Sequence, residues 1–140
     1  MSAADAIALV VGGAEAEAEF PDIAVLVADS DPQSQAALRD SLRGLVGQVF
    51  TAHSGAAAAA ILKSEHVDVV VLDAQLRMPD AFTLTELAKS RGVAAVIILL
   101  SPDTPTDRGA AQLAGCDTFL IRPVNEVILR EVVAEYVDEF

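Results

Sequence analysis

Basic residues are scarce in this chain: nine Lys and Arg stand against 21 Asp and Glu, a formal net charge of −12. Phosphate backbones and anionic lipid surfaces are gripped by clustered Lys and Arg, so this balance excludes nucleic acid and membrane surfaces as direct partners. Cysteine occurs once, at Cys116, which excludes an internal disulfide and points to reducing, cytoplasmic surroundings. No Lys or Arg precedes Arg39, so the N-terminus lacks the charged start of a secretory signal. The longest apolar run, Val93–Leu100, is far too short to cross a bilayer. Aromatics make up 4% of the chain, so its core must be aliphatic.

What is present is ample apolar material, 53% of 140 residues, which suits one domain around one core. Residues 1–21 differ from the rest, with a small-residue start, Ile7–Val11, the pair Gly12–Gly13, and an Ala/Glu stretch up to Phe20–Pro21. The favoured reading is a flexible acidic leader. The alternative is that Ile7–Val11 forms a short helix or strand that docks on the domain or on a partner.

Residues 22–140 alternate between apolar runs and helical periods. Ile23–Ala28 is a continuous apolar run, as expected of a strand buried on both faces. Asp31 and Pro32 open a helix whose buried stripe is Leu38, Leu42 and Leu45. Val49–Ala52 is a second strand, and Ser54–Gly55 introduce an Ala-rich helix through Leu62. Val67–Leu72 is a third strand, followed by a helix marked by Phe82, Leu84, Leu87 and Ala88 and closed by Gly92. Ala94–Leu100 is the fourth, Thr104–Pro105 start a helix ending at Gly115, and Thr118–Ile121 is the fifth. Asn125 caps a last helix with Val132, Val133, Tyr136 and Val137 inward. Strict strand–helix alternation calls for an α/β fold: a five-stranded parallel sheet with helices on both faces and right-handed crossovers.

Four polar residues fall at the carboxyl ends of predicted strands: Asp29, Asp73, Ser101 and Arg122. Strand ends are often polar simply because they are exposed. Open α/β sheets, however, bind ligands at this edge and not at the other, which favours a functional cluster.

The ordered segments Val25-Leu26-Val27-Ala28-Asp29-Ser30-Asp31-Pro32, Val67-Asp68-Val69-Val70-Val71-Leu72-Asp73, Val96-Ile97-Ile98-Leu99-Leu100-Ser101 and Ala114-Gly115-Cys116-Asp117-Thr118-Phe119-Leu120-Ile121-Arg122-Pro123 together resemble the receiver domain of two-component response regulators. The resemblance covers residues 23–137. It implies a CheY-like, flavodoxin-like doubly wound fold with strand order 2-1-3-4-5. It also implies a single-domain regulator, not an enzyme in its own right, that takes a phosphoryl group on Asp73 in a phosphorelay. The donor would be a histidine kinase, a phosphotransfer protein or a small phosphodonor, and the output would pass through a protein target. In that reading Asp29, Asp73 and the backbone of Gln75 hold Mg²⁺, Ser101 and Arg122 bind the phosphoryl oxygens, and Phe119 is the aromatic switch. The peptide before Pro123 would be cis.

The active site is atypical. Receivers usually carry two adjacent acids after the first strand; here the second is Ser30, and Asp31 comes one residue later, where it can cap the helix instead. Arg122 stands for the usual lysine, keeping the charge but not the shape. Its guanidinium can pair with a phosphate, or permanently with Asp73 or Asp29. After the acceptor, Arg77 and Ala81 take the places where a proline and a glycine are expected, and Pro79 comes two residues late. Loss of one acid should weaken Mg²⁺ without abolishing it, since one or two carboxylates can suffice. A second receiver reading is therefore a degenerate, phosphorylation-independent interaction module.

A reading from another class is a haloacid-dehalogenase-type phosphatase using Asp29 as nucleophile and Asp31 as acid/base. It lacks a suitably placed lysine, since Lys63 and Lys89 lie on or beside helices. His53, His66 and Cys116 read as structural. The last helix presents Glu126, Glu131, Glu135, Asp138 and Glu139, a solvated face or a surface for a basic partner. Its Val132/Tyr136/Phe140 row reads as core, with a homodimer contact as the alternative.

Overall fold

The computed structural model describes residues 6–9, 18–102 and 107–138. Eleven elements follow along these residues: β1 (Ala6–Leu9), β2 (Phe20–Ala28), α1 (Pro32–Ser41), β3 (Val46–Ala52), α2 (Gly55–Ser64), β4 (Val69–Asp73), α3 (Ala81–Ser90), β5 (Ala95–Leu100), α4 (Asp107–Ala114), β6 (Thr118–Ile121) and α5 (Glu126–Val137). The sheet order is β1-β3-β2-β4-β5-β6. Strands β2 to β6 are mutually parallel and, numbered among themselves, run 2-1-3-4-5, the order expected of the fold.

The alternation of side chains along each strand sorts the core into two layers. Val25 and Val27 of β2, Val69 and Val71 of β4 and Ile97 and Leu99 of β5 face Leu38 and Leu42 beneath α1 and Leu129, Val133 and Val137 of α5. The intervening Leu26, Val70, Leu72, Val96, Ile98 and Leu100 face α2, α3 and α4. A strand covered on both sides must be apolar at every position, which is why these runs are continuous. Small residues on α2, Ala57 and Ala58, are wholly buried and bring that helix close to the sheet.

Three expectations need correction. Within residues 1–21, Ala6–Leu9 forms a strand docked on the domain, the alternative to a flexible leader: it pairs antiparallel with Val49–Ala52 of β3, giving the sheet a sixth strand at the edge where the parallel set would end. An unpaired edge leaves a row of backbone donors and acceptors open, and a short apolar strand satisfies them. Phe20 and Pro21 belong to β2, joined to Ala24 across a bulge beside β3. Gly47 allows that approach, because a Cβ there would stand 1.8 Å from the Pro21 carbonyl oxygen. Finally, α1 ends at Ser41, so Leu42 and Leu45 are buried beyond the helix rather than along it. Thr104–Pro105 and Phe140 lie outside the described residues. Among those described, no helix is long and apolar enough to cross a membrane.

Candidate functional site

The connections from β2 lead outward to β3 and then back across to β4, so the chain reverses direction between β2 and β4. Open α/β sheets have a crevice at this switch point. Asp29 follows β2 and Asp73 closes β4, one on each side of the crevice, with Asp29 only 1% and Asp73 7% exposed. Ser101 follows β5 and is half-buried. Arg122 follows β6, its backbone N–H held by the Leu100 carbonyl at 2.9 Å. All four strand-end residues therefore share the carboxyl edge.

Arg122 is the centre of the cluster. Its Nη2 donates to Asp29 Oδ2 at 2.8 Å and lies 3.7 Å from Asp73 Oδ1. Its Nη1 donates to Ser34 Oγ at 2.9 Å, and the Ser34 hydroxyl in turn donates to Asp29 Oδ2. Asp29 Oδ1 accepts the Asp31 N–H at 3.0 Å, so both oxygens of this buried carboxylate are engaged. Asp73 Oδ1 accepts the Gln75 N–H at 3.1 Å. Burial pushes the Asp73 carboxyl above its ordinary value; the Gln75 N–H and the Arg122 guanidinium offset this in part, and Asp29 adds to it.

The remaining candidates are placed less centrally. Ser30 is exposed. Asp31 is exposed too, and its Oδ1 accepts the Gln33 N–H at 3.0 Å, so it caps α1. Phe119 is half-buried in β6, packed on the core layer under α2, α3 and α4. The Arg122–Pro123 peptide is cis. Beside Arg122 a cleft of about 440 Å³ opens between α1 and α5, lined by Ser34, Leu38, Pro102 and Leu129 among others, but not by Asp29 or Asp73.

The loop after Asp73 takes its own course. Met78 adopts a positive φ of 50°, 87% exposed, and the Met78–Pro79 peptide is cis. Asp80 then caps α3, with its carboxylate accepting the Thr83 N–H at 2.8 Å. That bond holds the Asp80 carboxyl below its ordinary value. Ala81 is the first residue of α3, buried where a glycine was expected.

Ser34 escaped the sequence analysis. It is neither at a strand end nor in a recognised segment. Its one signal is a position in the first turn of a helix that begins right after Asp29, where a side chain can reach back to the strand end.

A family model of the response regulator receiver domain matches residues 25–134. The chain belongs to the response-regulator receiver family. The heme response regulator HssR of Staphylococcus aureus is 32% identical to this receiver over 107 residues, 75% of this chain and 48% of that protein. The sensor histidine kinase RcsC of Escherichia coli is 26% identical over 125 residues, 89% of this chain and 13% of that protein. The chain thus spans half or less of these relatives. The receiver domain of the sensor histidine kinase PA1611 from Pseudomonas aeruginosa, solved with a magnesium ion in its active-site cleft, superposes with a TM-score of 0.74 at 19% identity, over 83% of this chain and 98% of that one.

Receivers bind Mg²⁺, and the donor set here can be tested against that ion. Among the described residues no group of three or more His, Cys, Asp or Glu side chains could hold a metal. Asp29 accepts from a hydroxyl, an amide and a guanidinium, and Asp31 is used as a cap. With the Arg122 Nη2 at 2.8 Å from Asp29 and 3.7 Å from Asp73, a guanidinium already stands between the two carboxylates, and as it stands the site does not fit a divalent ion.

Proposed function

We propose that this receiver takes a phosphoryl group on Asp73 from a phosphohistidine of a histidine kinase or phosphotransfer protein, and signals by binding a protein target. The observation that carries this reading is the placement of Asp73. It closes β4 at the ligand-binding edge of the sheet, with Oδ1 held by the Gln75 N–H and the Arg122 guanidinium 3.7 Å away. In the transfer, Oδ2 forms a bond to phosphorus as the donor's P–N bond breaks, and the imidazole leaves with the bonding electrons. Charge grows on the phosphoryl oxygens, and a guanidinium 3.7 Å from Oδ1 is placed to offset it. Ser101 at the end of β5 supplies a hydroxyl at the same edge. Added phosphate charge then shifts the face that carries Phe119, with a coupling of about 1–3 kcal/mol, typical of such switches.

The test is intact-mass analysis after incubation with acetyl phosphate, and separately with a phosphorylated phosphotransfer protein, using Asp73→Asn as control. A phosphoryl adduct on the wild type alone supports the reading. No adduct with either donor, with or without Mg²⁺, overturns it. A second reading then stands: a receiver whose partners recognise one fixed conformation. The Arg122–Asp29 bond favours it, because it closes the site before any phosphate arrives.

A further inference from the structure

Asp29 sits at the switch point almost without solvent, and a buried carboxylate needs a countercharge. In this chain the countercharge is covalently attached. The Arg122 fork uses one amino group on Asp29 and the other on Ser34, and Ser34 closes the ring by donating to the same Asp29 oxygen. Two donors on a planar group fix its orientation, which a single ammonium could not do. Ser34 is thus a positioning residue for Arg122.

The charge count agrees with this geometry. The cluster holds two carboxylates, Asp29 and Asp73, because the neighbouring position is Ser30 and Asp31 turns to cap α1. One guanidinium leaves a single negative charge for an incoming phosphoryl group to displace or reinforce. A divalent ion would make the cluster positive, and direct coordination at about 2.0–2.1 Å through Asp29 Oδ2 would require both the Ser34 hydroxyl and the guanidinium to leave that oxygen.

We infer that Arg122, oriented by Ser34, is the resident cation of this receiver in place of a divalent metal, so that its resting site is indifferent to Mg²⁺. The inference stands whether or not Asp73 accepts a phosphoryl group, because it concerns what occupies Asp29.

Mn²⁺, followed by the relaxation of water protons, reports binding without any turnover. The wild type is expected to show no saturable site that depends on Asp29. Arg122→Ala is expected to acquire one, tighter by about tenfold or more than the loose binding of Mn²⁺ to the acidic surface, the equivalent of 1.4 kcal/mol. Asp29→Asn in the Arg122→Ala background is expected to abolish it, which separates this site from loose binding to the acidic surface. Circular dichroism checks that each variant folds, and Arg122→Gln serves if Arg122→Ala does not. A wild-type site lost on Asp29→Asn overturns the inference, whatever the variants do. So does a folded Arg122→Ala or Arg122→Gln protein that acquires no site. Phosphoryl uptake at Asp73 is read separately by mass, so the two conclusions can fail independently.

Discussion

Gly55, the first residue of α2, lies so close to Pro79 that a Cβ on it would stand 2.0 Å from the Pro79 carbonyl oxygen. The loop following Asp73 therefore rests its backbone on the start of α2, and the Arg77 carbonyl oxygen would be only 2.5 Å from the same Cβ. Alanine inside a helix is normally favoured over glycine, by up to about 1 kcal/mol. Here the obstacle is backbone, which cannot rotate away.

Gly55→Ala is therefore expected to destabilise the protein, by about 1–3 kcal/mol for an overpacked site, opposite in sign to the propensity effect. Urea unfolding would show a lower midpoint with an unchanged slope. A raised midpoint would mean that the loop after Asp73 yields freely.

Asp73 links stability to pH. Its carboxyl is raised above the ordinary 3.8, chiefly by burial, so the folded state holds the proton more tightly than the unfolded chain. That contribution is fully present below about 3.8 and is lost as pH rises through the raised folded value. At neutral pH the ionised, buried Asp73 thus lowers stability. Asp73→Asn is expected to be more stable than the wild type at pH 7, with the difference shrinking on acidification. Paired urea titrations across this range check it, and a difference that grows on acidification would reverse the sign.

Arg130 of α5 joins two helices. Its Nη1 donates to the carbonyls of Ser41 and Arg43 at 2.8 and 2.7 Å, where the end of α1 leaves acceptors without helical partners. Arg130→Met keeps most of the aliphatic stem and removes both bonds. A loss of about 1.5–3 kcal/mol is expected, as for hydrogen bonds to charged groups, and thermal unfolding would register it. Faster amide exchange near the end of α1 should accompany the loss.

Much of the fold was legible because it rests on local patterns. Ile23–Ala28 and Ala94–Leu100 are apolar without interruption, which only a doubly covered strand requires, and Asn125 and Ser54 cap the helices they precede. Ala6–Leu9 was harder. Its segment is short and sits among glycines and glutamates, and only the open edge of β3 gives it a reason to be a strand. Leu45 fitted a helical stripe but is buried from a turn, since helix and turn can point the same residue inward.

That Asp29, Asp73, Ser101 and Arg122 share one edge follows from the order of residues along the chain, because each ends a strand and parallel strands end together. Tertiary structure alone decided which of them touch. Arg122 bonds Asp29 rather than Asp73, and Ser34, from another element, holds its second amino group. Asp31 left the cluster for the start of α1, where a free backbone N–H was nearer. Such choices depend on distances of a few ångströms across strands far apart in the chain, where a long side chain settles on the most buried unpaired charge within reach.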